Sequence, residues 1–115
     1  MRVVLAVSIL GLLAISPVFA ACVPPDNNVV IPNGSTATKD EMLAAQKSLK
    51  AYDAAVKDFG VCLQTESDAK VAQGDDKAKV AAAYAKRNNA EVDKVQALAE
   101  RWKVQLAAFK AKPAG

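Results

Sequence analysis

Two thiols, Cys22 and Cys62, carry most of the chemistry open to this chain, and they stand 40 residues apart. That separation is not the CxxC spacing of a thiol redox centre. The chain has no histidine, which removes the usual general base, the Ser-His and Cys-His pairs, and the commonest zinc ligand. Its acidic pairs, Asp40-Glu41 and Asp75-Asp76, lack the ligand number and loop spacing of a calcium site. Both precede apolar periodic runs, where helix capping accounts for them. No glycine-rich phosphate loop is present. Lys77, Lys79, Lys86 and Arg87 form the most basic stretch. Asp68, Asp75 and Asp76 offset it, and no aromatics interleave for base stacking, so it reads as a solvated helix face without nucleic acid. The residues therefore predict no enzyme, no cofactor and no metal site.

The meaning of Cys22 depends on what precedes it. Arg2, the apolar run Val3–Ile15 and Ser16-Pro17 before small residues have the three parts of a secretory signal. Ser8, Gly11 and Pro17 break the run, which falls short of the ~20 apolar residues of a membrane span. Cleavage between Ala20 and Ala21 sets Val18 and Ala20 at the small-residue positions, whereas cleavage after Ala21 would set Phe19 there. Removing residues 1–20 leaves 95 residues with 14 Lys+Arg against 12 Asp+Glu, a net charge of +2. So small a charge implies no polyanionic partner. In an exported chain an even pair of cysteines reads as one disulfide. The alternative is an envelope lipoprotein in which Phe19-Ala20-Ala21-Cys22 acts as a lipobox and Cys22 becomes the acylated N-terminus. Phe19 then replaces the usual aliphatic residue and Cys62 is left unpaired. The disulfide is the preferred reading.

These thiols must be positioned by the elements around them. Residues 21–37 are rich in Pro, Asn and Gly, and Pro24, Pro25 and Pro32 favour an extended arm. Pro32-Asn33-Gly34 signals a turn, with positive φ tolerated at Asn33 and Gly34. Val29, Val30 and Ile31 are expected to lie on the domain's own helices, since three adjacent branched apolar residues in water invite aggregation. Thr38 and Glu41 have capping-box spacing for a first helix over about 38–73. Met42, Leu49, Val56 and Leu63 recur every seven residues, with Ala45, Tyr52 and Phe59 between them, which makes an apolar seam of heptad type. Gly60 interrupts the run at about 1 kcal/mol relative to alanine, and Leu63 carries the seam past it. Gly74 and the acidic pair after it end this helix and start a second, over about 76–110.

The second seam is Val92, Val95, Ala99, Trp102, Leu106 and Phe109, extended backward by Ala78, Ala81, Ala85 and Asn88. Ala83, Ala90, Ala97 and Val104 form a small-residue stripe on another face, where a second copy could approach closely. Asn88 is expected to be solvated. The fold expected is all-α: a long, coiled-coil-like antiparallel two-helix hairpin over 38–112, with a Pro-rich arm stapled to it. An extended arm can reach, because the helix climbs ~36 Å from Thr38 to Cys62 while the arm can span ~50 Å. A Cys22–Cys62 bond would then lash the arm back along the hairpin.

Cys22, Pro25, Ile31-Pro32-x-Gly34, Ala37-Thr38-x-x-Glu41-Met42, Cys62-Leu63 and the closing AERWKVQLAAFKAK (Ala99–Lys112) together resemble a family of small secreted proteins of Gram-negative bacteria. The resemblance spans most of the mature chain. It implies export and the two-helix plan, and it brings no activity or functional residues with it. The expected role is that of a secreted or periplasmic helical interaction or structural protein, its partner a protein, including a second copy of itself, without a transmembrane span.

Overall fold

The computed structural model describes residues 21–113. The leader expected over 1–20, with the Ala20 side of its cleavage site, lies outside the described residues. The fold is all-α: two antiparallel helices, α1 (Lys39–Ala72) and α2 (Lys77–Lys110), each of 34 residues. At 1.5 Å per residue each runs about 50 Å.

The helix boundaries follow from side chains that satisfy otherwise orphaned backbone groups. The Thr38 hydroxyl accepts from the Glu41 amide at 3.2 Å while the Glu41 carboxylate accepts from the Thr38 amide at 2.7 Å, a complete capping box. At the far end of α1, Gly74 takes φ +102°. Its amide donates to the Val71 carbonyl, and the Asp75 amide donates to that of Lys70. This pair of bonds is a Schellman closure, and it requires the left-handed backbone that glycine adopts without strain. Asp76 then opens α2, its carboxylate accepting from the Lys79 amide at 2.9 Å.

Gly60 does not break α1. Its missing Cβ faces the Asn88 side chain of α2, so the helix continues through a point where the two partners approach closely.

The arm, residues 21–37, runs back along the hairpin. Cys22 is bonded to Cys62 with the two Cα atoms 5.8 Å apart. At the other end the Gly34 amide donates to Gln105 Oε1 at 2.8 Å, and Lys112 donates to the Ala37 carbonyl at 2.6 Å. The arm thus touches α1 at its first end and α2 at its second. Of the apolar triplet, Ile31 is buried and Val29 half-buried, but Val30 is 75% exposed. An extended chain points alternate side chains to opposite sides, so a single apolar surface can take only two of the three.

The turn at residues 34–36 uses no positive φ. Asn33 builds it instead, its carbonyl accepting from the Ala37 amide at 2.8 Å and its side chain from the Ser35 amide at 3.0 Å. Gly34 is required for another reason: a Cβ there would fall inside the van der Waals shell of the Gln105 carbonyl and 2.9 Å from the Phe109 amide nitrogen.

Candidate functional site

The α1 seam lies where its spacing places it. Met42, Ala45, Tyr52, Val56, Phe59 and Leu63 are buried, and Leu49 is half-buried. On α2 the seam is rotated by one residue. Glu91 and Leu98 are buried there, and so is Val80 nearer the turn, whereas Val92, Val95, Ala99, Trp102, Leu106 and Phe109 are half-buried and Ala78, Ala81 and Ala85 are exposed. The reason is the number of layers. Two helices and one arm surround the seam on two sides, so the flank of α2 that carries Val92 and Val95 has no described residue beyond it. Two clusters result. Ile31, Tyr52, Val56 and Leu98 form one, with Val29, Leu49, Val92, Val95 and Trp102 against it. Phe59, Leu63 and the Cys22–Cys62 bond form the other, with Tyr84 against it.

Three polar features fix how these layers meet. The Tyr52 hydroxyl donates to Glu91 Oε2 at 3.1 Å across the hairpin, and Lys94 donates to Glu91 Oε1 at 2.8 Å. Both oxygens of the buried carboxylate are therefore taken, which leaves it a register pin and no metal ligand. Sliding one helix past the other would separate Tyr52 from Glu91, and an unsatisfied buried carboxylate costs upward of about 1–3 kcal/mol. The second feature is Arg87, which donates to the Cys22 carbonyl at 2.9 Å and lies 5.4 Å from the Tyr84 ring centre and 5.8 Å from that of Phe59. It is thus a clamp on the arm, while its side chain stays exposed with the rest of that basic face. The third, the contact of Gly34 and Ala37 with Gln105 and Lys112, holds the arm's other end.

Sequence reasoning by apolar period passed over Glu91, Arg87 and Gln105 because they are charged or polar. The signal that reaches two of them is the line Tyr84, Glu91, Leu98, Gln105, four residues at strict seven-residue spacing.

Burial, then the hydrogen bond to Glu91, pushes the Tyr52 phenol above its ordinary value. Burial, then the Glu66 carboxylate, does the same to Tyr84. The hydrogen bond to Glu91 raises Lys94, against an opposing effect of burial. A group whose pKa is raised by folding contributes stability below its unfolded value and loses it as pH climbs through the folded one. All three shifts carry the same sign. Denaturation midpoints should therefore hold steady from about pH 7 to 9 and fall as pH rises beyond about 10, where tyrosine and lysine ordinarily titrate. Tyr52→Phe should make that alkaline fall shallower, and a midpoint that rises above pH 10 would contradict the assignment.

Among the described residues nothing covers the face opposite the arm. A groove of about 570 Å³ runs between the helices there, with Val56, Val61, Val92 and Val95 as apolar walls and Gly60 at its base. Asp53, Lys57, Gln64, Asn88 and Gln96 rim it. Asp53 and Lys57 pair with each other at 2.8 Å. Val61 is 68% exposed, and Ala99 and Leu106 continue the Val92 line at seven-residue spacing. The stripe Ala83, Ala90, Ala97 and Val104 is also exposed, on another side of α2 from this groove.

Among the described residues no group of three His, Cys, Asp or Glu side chains could hold a metal ion, and no helix is long and apolar enough to cross a membrane. Comparison with protein-family models, curated proteins and solved structures finds no match to this chain.

Proposed function

We propose that this chain is an exported, non-enzymatic interaction protein of the periplasm or the extracellular medium, and that its working surface is the groove opposite the arm. The observation that carries this reading is the asymmetry of the hairpin. One side of the seam is sealed by the arm, while the other presents Val61, Val92 and Val95 to solvent. Export draws support from the disulfide, which persists in oxidising compartments. The lipid-anchored alternative needs the Cys22 sulfur for a thioether, and here that sulfur is bonded to Cys62.

The occupant to which we commit is a second copy of the chain. The groove's rim carries one acid and one base, Asp53 and Lys57, so a two-fold axis that passes between them sets each against its opposite in the second copy. Its remaining polar residues are neutral amides, and a mature net charge of +2 opposes association only weakly. Pairing two hairpins groove to groove would supply the missing layer and make a four-helix bundle.

Sedimentation equilibrium of the mature protein tests this. A concentration-dependent dimer is expected. Val61→Asp and Val95→Asp should each weaken it by at least about tenfold, or ~1.4 kcal/mol, with helix content unchanged for Val61→Asp because that side chain is exposed in the single hairpin. A wild-type chain that stays monomeric at every concentration would exclude the second copy and leave the groove to a helix of another protein.

A further inference from the structure

Glu66 carries a buried oxygen without a hydrogen-bond donor. Its Oε2 is closed off from solvent and has no hydrogen bond of ordinary geometry, although the Tyr84 phenol lies near enough for the Glu66 carboxylate to raise its pKa. The Arg87 guanidinium stands 3.9 Å away, beyond hydrogen-bond range, with its other terminal nitrogen committed to the Cys22 carbonyl. The Arg87 charge thus pairs with this oxygen at a distance without donating to it, and a carboxylate oxygen withdrawn from water ordinarily has a hydrogen-bond donor.

The course of the arm shows where a partner can come from. Residue 37 leads into α1 at its first turn, and Cys22 is bonded to Cys62, well along the same helix. Falling residue number in the arm therefore means travel toward the C-terminal end of α1. One residue past Cys22 in that direction is Ala21, and one helical turn past Cys62, on the same face, is Glu66. Arg87 ties the two together independently, since its guanidinium holds the Cys22 carbonyl on one nitrogen and faces Glu66 with the other.

We propose that Glu66 is the receptor for the α-ammonium group that signal cleavage creates on Ala21, so that removal of the leader completes the docking of the arm. The proposal rests on the export reading and on cleavage after Ala20. Hydrolysis of the Ala20–Ala21 bond consumes one water. It leaves a carboxylate on Ala20 and an amine on Ala21, protonated below about pH 8. In the precursor the Ala21 nitrogen is a neutral amide with a single donor. In the mature chain it carries a positive charge and three donors, matched to an ionised carboxylate by charge-assisted hydrogen bonds. The other titratable or charged groups facing this spot are Tyr84 and Arg87 of α2, with Lys70 one turn further along α1. Tyr84, whose pKa is raised above its ordinary value, stays neutral through this range, so a titration near neutrality belongs to the ammonium.

Four mature chains test it: Ala21 with a free amine, Ala21 acetylated on its nitrogen, and the same two ends on Glu66→Gln. In the Glu66 chain acetylation should lower the folding equilibrium constant by roughly tenfold, and in Glu66→Gln its effect should shrink to within about twofold. The ¹⁵N-labelled Ala21 amine should titrate above its ordinary range in the first background and return to it in the second. Equal acetylation effects in both backgrounds, or an ordinary titration with Glu66 present, would overturn the proposal. Intact mass of the protein from an exporting host separates this failure from that of the reading beneath it. A chain that starts anywhere but Ala21 overturns the processing step and the proposal with it, whereas a start at Ala21 with equal acetylation effects overturns the proposal alone.

Discussion

Reducing the Cys22–Cys62 bond, or replacing both residues by serine, should remove about 2–4 kcal/mol of folding stability and lower the melting temperature by on the order of 15 °C. The bond closes a loop of 40 residues, and chain-entropy arithmetic assigns such a loop about 4 kcal/mol, an upper figure because a reduced chain keeps some residual order. The loss should be uneven along the arm. Its second half is held by bonds that survive reduction, from Gly34 to Gln105, from Lys112 to the Ala37 carbonyl, and by the Thr38 capping box. Among the described residues, the first half keeps one hydrogen bond to the helices, from Arg87 to the Cys22 carbonyl. Amide exchange should accordingly rise over residues 21–30 more than over 31–37. Urea denaturation of the mature protein with and without a reductant checks the magnitude, and hydrogen exchange checks the distribution. A reduced protein as stable as the oxidised one would mean that the disulfide contributes nothing to the stability of the fold.

The staple and the hairpin were legible in the residues because each rests on a signal that a linear chain carries openly: an even pair of cysteines, two heptad runs, and a glycine between them. Caps were legible for the same reason, since Thr38, Glu41 and Asp76 act on backbone within three residues of themselves. What stayed hidden depends on contacts between distant segments. Glu91 is buried only because Tyr52, 39 residues earlier, meets it, and Arg87 clamps the arm only because Cys22 is brought across to it. The one-residue rotation of the α2 seam belongs to the same class. An apolar count ranks Val92 over Glu91, whereas the fold gives Glu91 the inside position and leaves Val92 on the groove wall. The open groove is thus recorded in the sequence as an apolar face wider than one neighbour can cover, and only the arm's position decides which part stays uncovered.

Gly34→Ala should be among the most damaging single substitutions in the protein, at about 3 kcal/mol, while Gly60→Ala should be neutral or stabilising by up to ~1 kcal/mol. The two glycines look alike in sequence, each facing α2, and the difference lies in what a new methyl group meets. At Gly34 it meets backbone: the Gln105 carbonyl, with its carbon at 2.7 Å, and the Phe109 amide nitrogen at 2.9 Å. Hydrogen-bonded helix backbone, even in the last turns of α2, yields less readily than a side chain, so the arm itself must lift. Lifting it breaks the bond from the Gly34 amide to Gln105 and draws Ile31 out of the core it shares with Tyr52, Val56 and Leu98. At Gly60 the methyl meets the tip of the Asn88 side chain at 3.0 Å. A side-chain tip can rotate away into the adjoining groove, after which alanine's greater helix propensity is gained at the centre of α1. Thermal and urea denaturation of both variants in the oxidised protein measure this contrast. Equal costs at the two positions would show that α2 is as yielding at its backbone as at its side chains, which the close packing of the arm against Gln105 and Phe109 does not allow.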